Sequence, residues 1–491
     1  MRTLPAAPRE LRAPPRARAD GDAARRSVVR WVMLIYLLAI FEGSLRKWVV
    51  PEFGQALFFI RDPVLVLVYV QATRHRLWPR GSWPFTLTLA LAAFGGVLAL
   101  LQIATQGVDN LRLLLAAYGY RNYFLYAPLA FLVGAHFRRD DLQRLFRWTL
   151  WLTLPMALLV ALQFSSPLGA PINAGISEDV KLQYRGLTVN ADTTRPQGTF
   201  SSGAGQQQFV VTSFAILLAL LLTSAPRRGS GRLLLVLATA GVLTCIGLSG
   251  SRGTMLHCGL VVAAAVSLAA VGQGAALRSR ALLLPLALTA VAVLLYPVVF
   301  PKGAASFLER WEAADRVESR HFEGGVFGRA LYGLVDFTRL LGDTPLLGYG
   351  LGYGGNASLI LRANVDGVVP GMLAETDWAR HVVDLGPPAA FGFIAYRLLL
   401  VGWLGARVLR STLDRPDPIP MLLYAYAGVT LLTGQITGQG AINVYGWLFA
   451  GLCIASTSPG PLAAARRLPA LATRSRFDAR RRNDIEPEAL S

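Results

Sequence analysis

The 491-residue sequence is short of charge, and shortest of acid. Asp, Glu, Lys and Arg make up only 16% of it, whereas soluble domains carry about a quarter. That shortage excludes an ordinary water-soluble globular domain, and the 53% of hydrophobic residues points to a chain that crosses a membrane many times. Cysteine is nearly absent. Cys245, Cys258 and Cys453 all lie in apolar runs, with neither metal-ligand spacing nor a disulfide framework, so they read as packing residues. A small-residue cleavage site is missing after the first apolar run, which predicts a retained first helix and no signal peptide. Tandem repeats are missing as well.

What is present is a series of apolar runs of about 17–25 residues, each long enough to cross a bilayer as a helix. They predict an all-α polytopic bundle of twelve spans, at 28–44, 56–72, 85–103, 113–135, 145–164, 206–224, 233–248, 254–271, 281–300, 385–409, 419–435 and 442–457. The second is interrupted by Arg61, Asp62 and Pro63. The net charge of +19 looks like a nucleic-acid signature. Its distribution argues against one, because the basic residues gather in both tails and in alternate short loops: TRHRLWPR, FRRDDLQRLFR, PRRGSGR, LRSR and LRSTLDR. Positive loops stay in the cytoplasm. That rule puts both termini inside and residues 165–205 and 301–384 outside. The expected organisation is a disordered tail 1–27, spans one to nine over 28–300, an outer loop 301–384, spans ten to twelve over 385–457, and a disordered tail 458–491. A loop as long as 301–384 usually carries function.

Four outer stretches carry candidate chemistry. In TTRPQGTFSSGAGQQQF, residues 193–209, Arg195 sits in a polar turn before span six. In GLSGSRGTML, residues 247–256, Arg252 is the only charge in a short hairpin and runs against the topology preference. VFGRALYGLVDFTRLL, residues 326–341, has apolar residues at helical spacing with Arg329, Asp336 and Arg339 among them, which predicts an amphipathic helix. It ends at LGDTPLLGYGLGYGG, a run that predicts a tight turn with exposed backbone N–H groups. Guanidinium groups present a planar fork of donors suited to phosphate oxygens, and the GSRG hairpin leads into a helix N-terminus that favours anions. Together these features suggest a lipid diphosphate whose tail lies in the bilayer.

The fourth stretch is ETDWARHVVDLG, residues 375–386. As a helix it places Asp377, Arg380, His381 and Asp384 on one face. A carboxylate beside an imidazole orients it and raises its pKa, which makes a general base for a sugar hydroxyl. Plainer readings stand beside these. A juxtamembrane Arg binds ordinary lipid headgroups, and a Gly-rich run is simply a turn. Arg121, in YGYRNYFLY, pairs with Asp62 or Asp109 or else meets substrate. The stretch from Glu375 is a solvated, salt-bridged first turn capping span ten.

The order of RPQGTFSSG, LSGSRG, GRALYGLVDFTRLLGDTPLLGYGLGYG and a polar motif running into LGPPAAFGFIAYR resembles the O-antigen ligase and O-antigen polymerase superfamily of bacterial inner-membrane proteins. The motifs cover roughly 190–400. The resemblance implies a glycosyltransferase of the GT-C type with its active site in the periplasm. Its donor is a glycan on undecaprenyl diphosphate, it needs no cofactor or metal, and a chain-length regulator protein is a further implied partner beside membrane lipids. Arg195 and Arg252 match the family's outer arginines, with Arg329, Arg121 and Arg380 as further candidates for the diphosphate. The family's ligases carry a His about eleven residues before the Gly that opens the next span, and here Glu375 stands in that place. The base is therefore Glu375, or His381 with Asp377 beside it, or a residue elsewhere such as His321. The implied activity is polymerisation of lipid-linked repeat units of an exopolysaccharide or O-antigen. The alternatives are a ligase acting on lipid A core or another acceptor, and a lipid-linked oligosaccharide flippase.

Overall fold

In hydrocarbon every backbone N–H and C=O must bond within the protein, so long apolar runs close into helices. The computed structural model describes residues 15–175, 188–190, 193–223, 229–321, 328, 331–355, 374 and 376–458. Its helices are α1 (Pro15–Ser44), α2 (Arg61–Arg74), α3 (Trp83–Gln106), α4 (Asn110–Tyr120), α5 (Ala127–His136), α6 (Arg139–Ser165), α7 (Gly203–Leu222) and α8 (Gly229–Gly247). They continue as α9 (Arg252–Val271), α10 (Ala275–Val299), α11 (Pro301–His321), α12 (Asp377–Leu385), α13 (Pro387–Asp414), α14 (Ile419–Thr433) and α15 (Gly440–Thr457). Apart from two short paired strands, Thr188–Asn190 and Thr193–Thr194, the described chain is all-α. Among the described residues, ten helices are long and apolar enough to cross a membrane, and the protein is a multi-pass helical membrane protein on that ground.

Each of the twelve expected spans coincides with helix, but two do not meet that criterion. α14 is only 15 residues long. The run 113–135 is broken into α4 and α5 by a π-helical turn, Arg121–Leu125. Such turns mark places where a helix gives up regular bonding to place a side chain, and here the side chain is Arg121. The centre of the bundle is α7 and α15, whose most apolar stretches are 83% and 89% buried, whereas α10 is 6% buried and lies at the periphery.

Two expectations need correction. Residues 15–27 do not continue the tail but are the first turns of α1, where Arg25 pairs with Asp141 at 2.6 Å. The Ala- and Arg-rich composition there favours helix. The amphipathic helix after span nine is α11, where Phe307 and Trp311 pack at 5.8 Å. Of the run 326–341, the described residues are helical at 328, 331 and 332, then form a turn and a short 3-10 helix, Asp336–Leu340.

The two ends of the bundle differ chemically. At one end Arg138 meets Asp22 at 2.7 Å, Arg139 meets Asp417 at 3.1 Å, and Arg407 donates to Thr457 Oγ1 at 2.6 Å. At the other, Lys47 Nζ donates to the carbonyls of Gly198 and Phe200, and Trp48 to that of Pro171.

Candidate functional site

The second of these ends holds a cavity of about 500 Å³. Its polar lining comes from the end of α1, the start of α2, the turn before α7 and the turn before α15. Glu42 on α1 carries the one carboxylate among the described lining residues. It pairs with Arg46 at 3.2 Å, one helical turn on, and with Arg61 at 2.9 Å. Arg46 also donates to Gly54 O at 2.6 Å and to Ser201 Oγ at 3.2 Å. Arg61 is 2% exposed and reaches Gly440 O at 3.5 Å. Arg195 completes the lining of cations.

Among the described lining residues three guanidiniums stand with one carboxylate, Glu42. The N-terminus of α7 adds to this set. Its N-cap, Ser202, makes no side-chain cap bond, and a Cβ on Gly203 would stand 3.2 Å from Arg195 Nε. A guanidinium beside the N–H groups that open a helix is an arrangement that favours an anion. The buried Gln197 Oε1 in the same wall has no hydrogen-bond partner. Chemically this arrangement suits an anion, with room for more than one phosphate-sized group.

One wall of the cavity is the turn Gly434–Gln439, within TGQITGQG, and behind that wall lies a second charged cluster. α12 is buried along its whole length. Asp377 (1% exposed) accepts from Arg397 Nη1 at 2.6 Å, from Arg380 Nη1 at 2.8 Å and from Thr437 Oγ1 at 2.7 Å. Arg397, on α13, also donates to His381 Nε2 at 2.9 Å, to Leu431 O at 2.6 Å and to Gly434 O at 2.9 Å. Because arginine can only donate, His381 Nε2 must accept, and the imidazole proton sits on Nδ1. Nδ1 then donates to Tyr123 Oη at 3.0 Å, and the Tyr123 hydroxyl donates to Asp384 Oδ2 at 3.1 Å. Asp384 Oδ1 takes the N–H of Gly354.

Burial pushes His381 down to about 3, with Asp377 opposing and the two arginines assisting, so the ring is neutral. For Asp377, burial works to raise the pKa, but Arg397 and Arg380 outweigh it and hold the carboxyl below its ordinary range. Burial pushes Asp384 up to about 7 against the Gly354 N–H and Arg380.

The solvated helix cap that ETDWARHVVDLG could have been is therefore corrected to a buried network. An isolated charge could not remain ionised there, but Asp377 is held between the guanidiniums of Arg380 and Arg397. His381 is 0% exposed and does not reach the cavity. Arg380 is bound to Asp377 and to Gly354 O at 2.7 Å, and it packs so tightly beneath Gly438 that a Cβ there would collide with its guanidinium.

The remaining expected residues divide. Arg121 forms a two-pronged pair with Asp62, at 2.6 and 3.0 Å, inside a box of Phe58, Phe59 and Tyr126. Asp109 instead pairs with Arg112. Arg252 opens α9 and stacks on Trp311 of α11 at 5.9 Å, outside the cavity lining. Arg329 and Glu375 lie outside the described residues. The expected exposed N–H groups of the Gly-rich turn are taken up internally. Leu351 N donates to Gln102 Oε1 and Tyr349 N to Val383 O.

Sequence reasoning missed Glu42, Arg46, Arg61 and the TGQITGQG turn. The signal was present in FEGSLRKW and IRDP, which set charge within and just outside apolar runs, where it is costly and usually functional. Among the described residues no three His, Cys, Asp or Glu side chains converge as a metal site requires. No protein-family model matches the chain, and no curated protein matches it.

Proposed function

We propose that the protein joins glycan units carried on undecaprenyl diphosphate, acting as a polysaccharide polymerase at the outer face of a bacterial inner membrane. The observation that carries this reading is the cavity of Arg46, Arg61 and Arg195 over the uncapped start of α7. Three lining guanidiniums offer planar donor forks that suit the two negative charges of a sugar diphosphate diester. The positive-inside rule supports an outer location, since the opposite end holds Arg25, Arg138, Arg139, Arg407 and Arg415.

In this reading the acceptor hydroxyl attacks the anomeric carbon, the C–O bond to the diphosphate breaks, and the lipid diphosphate leaves with the electron pair. Preorganised guanidiniums and helix N–H groups stabilise that developing charge, which is usually the largest catalytic contribution. Enclosure of His381 and Asp377 argues against them as the proton acceptor and leaves that role to Glu375 or to a residue elsewhere such as His321. It also weighs against the ligase alternative, in which a histidine takes the proton. Arg252 and α11 then border the outer surface near the cavity.

One observation favours the flippase reading. The break between α4 and α5 with its Arg121–Asp62 pair is the kind of discontinuous helix that transporters use. That pair is satisfied within the protein, which weighs for a structural part.

The test is binding of undecaprenyl diphosphate to the purified protein, followed by elongation of a lipid-linked oligosaccharide in reconstituted membranes. Arg61→Ala and Arg195→Ala are expected to lower product formation by about 100-fold or more, as loss of one charge-stabilising donor does. Unchanged polymer from both variants overturns the cavity as the reaction site, and translocation without new glycosidic bonds establishes transport instead.

A further inference from the structure

At the opposite end of the bundle, a second cavity of about 350 Å³ lies between the last turns of α13 and the end of α15. We infer that it binds the headgroup of an anionic phospholipid, with the acyl chains running along α13. The site is separate from the glycan reading and stands whether or not that reading does.

Three arginines line the cavity, Arg407, Arg410 and Arg415, against one described carboxylate, Asp414. Their partners leave the positive charge in place. Arg407 donates to Thr457 Oγ1 at 2.6 Å and to Ser458 Oγ at 3.3 Å. Arg415 donates to the carbonyls of Thr457 and Ser458, at 3.1 and 3.2 Å, where α15 ends. These acceptors are neutral, so they orient the forks without cancelling them. Among the described residues Arg410 pairs with no carboxylate and is exposed at the rim.

A further group points to a ligand. Ser411 is 5% exposed, lines the cavity, and its Oγ has no hydrogen-bond partner among the described residues. A buried hydroxyl left unbonded is costly, and a phosphate oxygen among the arginines would accept from it.

A lipid is favoured over a free anion by what surrounds the cavity. Trp403 closes it on the bilayer side, and aromatic rings of this kind sit at headgroup level. Leu398 and Leu399, on the same helix one turn beyond Trp403, expose 49% and 54% of their surface, which presents a path for acyl chains. Basic pockets between spans on the cytoplasmic side are where anionic headgroups bind.

The experiment is native mass spectrometry of the full-length protein released from mixed micelles of phosphatidylglycerol and phosphatidylcholine, with inorganic phosphate as a third probe. Wild type is expected to retain phosphatidylglycerol in preference to phosphatidylcholine. Arg410→Gln is expected to weaken retention about fivefold, the effect of one arginine near a charged headgroup, and Ser411→Ala to weaken it further. Among the described residues the Arg410 guanidinium bonds to no side chain or backbone group, so its variant keeps the protein intact. Equal retention of the two lipids overturns the proposal, as does retention unaffected by either substitution. Inorganic phosphate that displaces the lipid at millimolar concentration also overturns it, in favour of a free anion.

Discussion

His381 shows how far one side chain's chemistry depends on its neighbours. In the sequence it looks like a base, beside a carboxylate at helical spacing. In the fold Arg397 donates to one nitrogen and the other donates to Tyr123, so the ring has no free lone pair. His381→Ala is expected to cost about 1–3 kcal/mol by leaving buried partners unbonded. Asp377→Asn is expected to cost about 3–5 kcal/mol by uncovering two buried guanidiniums. Both are read as lowered unfolding midpoints in detergent, and a base role without loss of stability would contradict the network.

Asp384 supplies a pH signature. Its folded carboxyl is raised from the ordinary 3.8 to about 7. The folded form therefore holds its proton more tightly than the unfolded form. The stability that proton contributes is complete below about pH 4 and is lost as pH rises to about 7. Asp384→Asn is expected to flatten the fall in unfolding midpoint between pH 5 and 7.5. An unchanged slope would assign that dependence to other groups.

Among the elements, the Gly-rich turn after the short 3-10 helix is the one whose sequence signal was clearest and whose role was not. Its glycines do adopt left-handed conformations, with φ of +73° at Gly348, +122° at Gly350 and +85° at Gly352. Far from an exposed rim, the turn is wedged against α3, α4 and α12. A Cβ on Gly352 would strike the backbone of Leu115 and Gly119, while one on Gly350 meets only Gln106 at 3.8 Å. Gly350→Ala is expected to cost about 1 kcal/mol of backbone strain. Gly352→Ala adds a backbone collision and is expected to cost about 3 kcal/mol or more, or to prevent folding. Thermal unfolding of the pair compares them directly, and equal effects would mean that strain alone sets the requirement. The period and breakers of LGDTPLLGYGLGYGG announce a turn, whereas its packing depends on Gly119, more than 200 residues earlier, which no local pattern reveals.

Across the whole molecule, the two chemically distinct ends define sidedness. Gly169 is exposed near the cavity end, where Gln163 bonds Ile172 and Gly198. Arg80 is exposed near the arginine-rich end, close to Leu77, whose carbonyl bonds His136. All three native cysteines are buried, which gives a quiet background for labelling. A membrane-impermeant maleimide applied to intact cells is expected to modify Gly169→Cys and to leave Arg80→Cys unmodified until the cells are opened. The reverse pattern would put the cationic cavity inside and remove its access to an outer-leaflet donor.

The sequence alone determined that the chain is helical, where nearly every span lies, and that its charges are segregated. Those properties follow from apolar length, backbone hydrogen bonding and the cost of moving cations across a bilayer, all of which act locally along the chain. It also singled out Arg195 and the charged run before α13. Only the tertiary structure decided which charges meet. Arg195 joins Arg46 and Arg61, carried by residues far from it in the chain, while Asp377 and Arg380 are sealed behind Gly438. Partnership between charges is a matter of distance in space, and the folded bundle brings together helices whose sequences hold no record of one another.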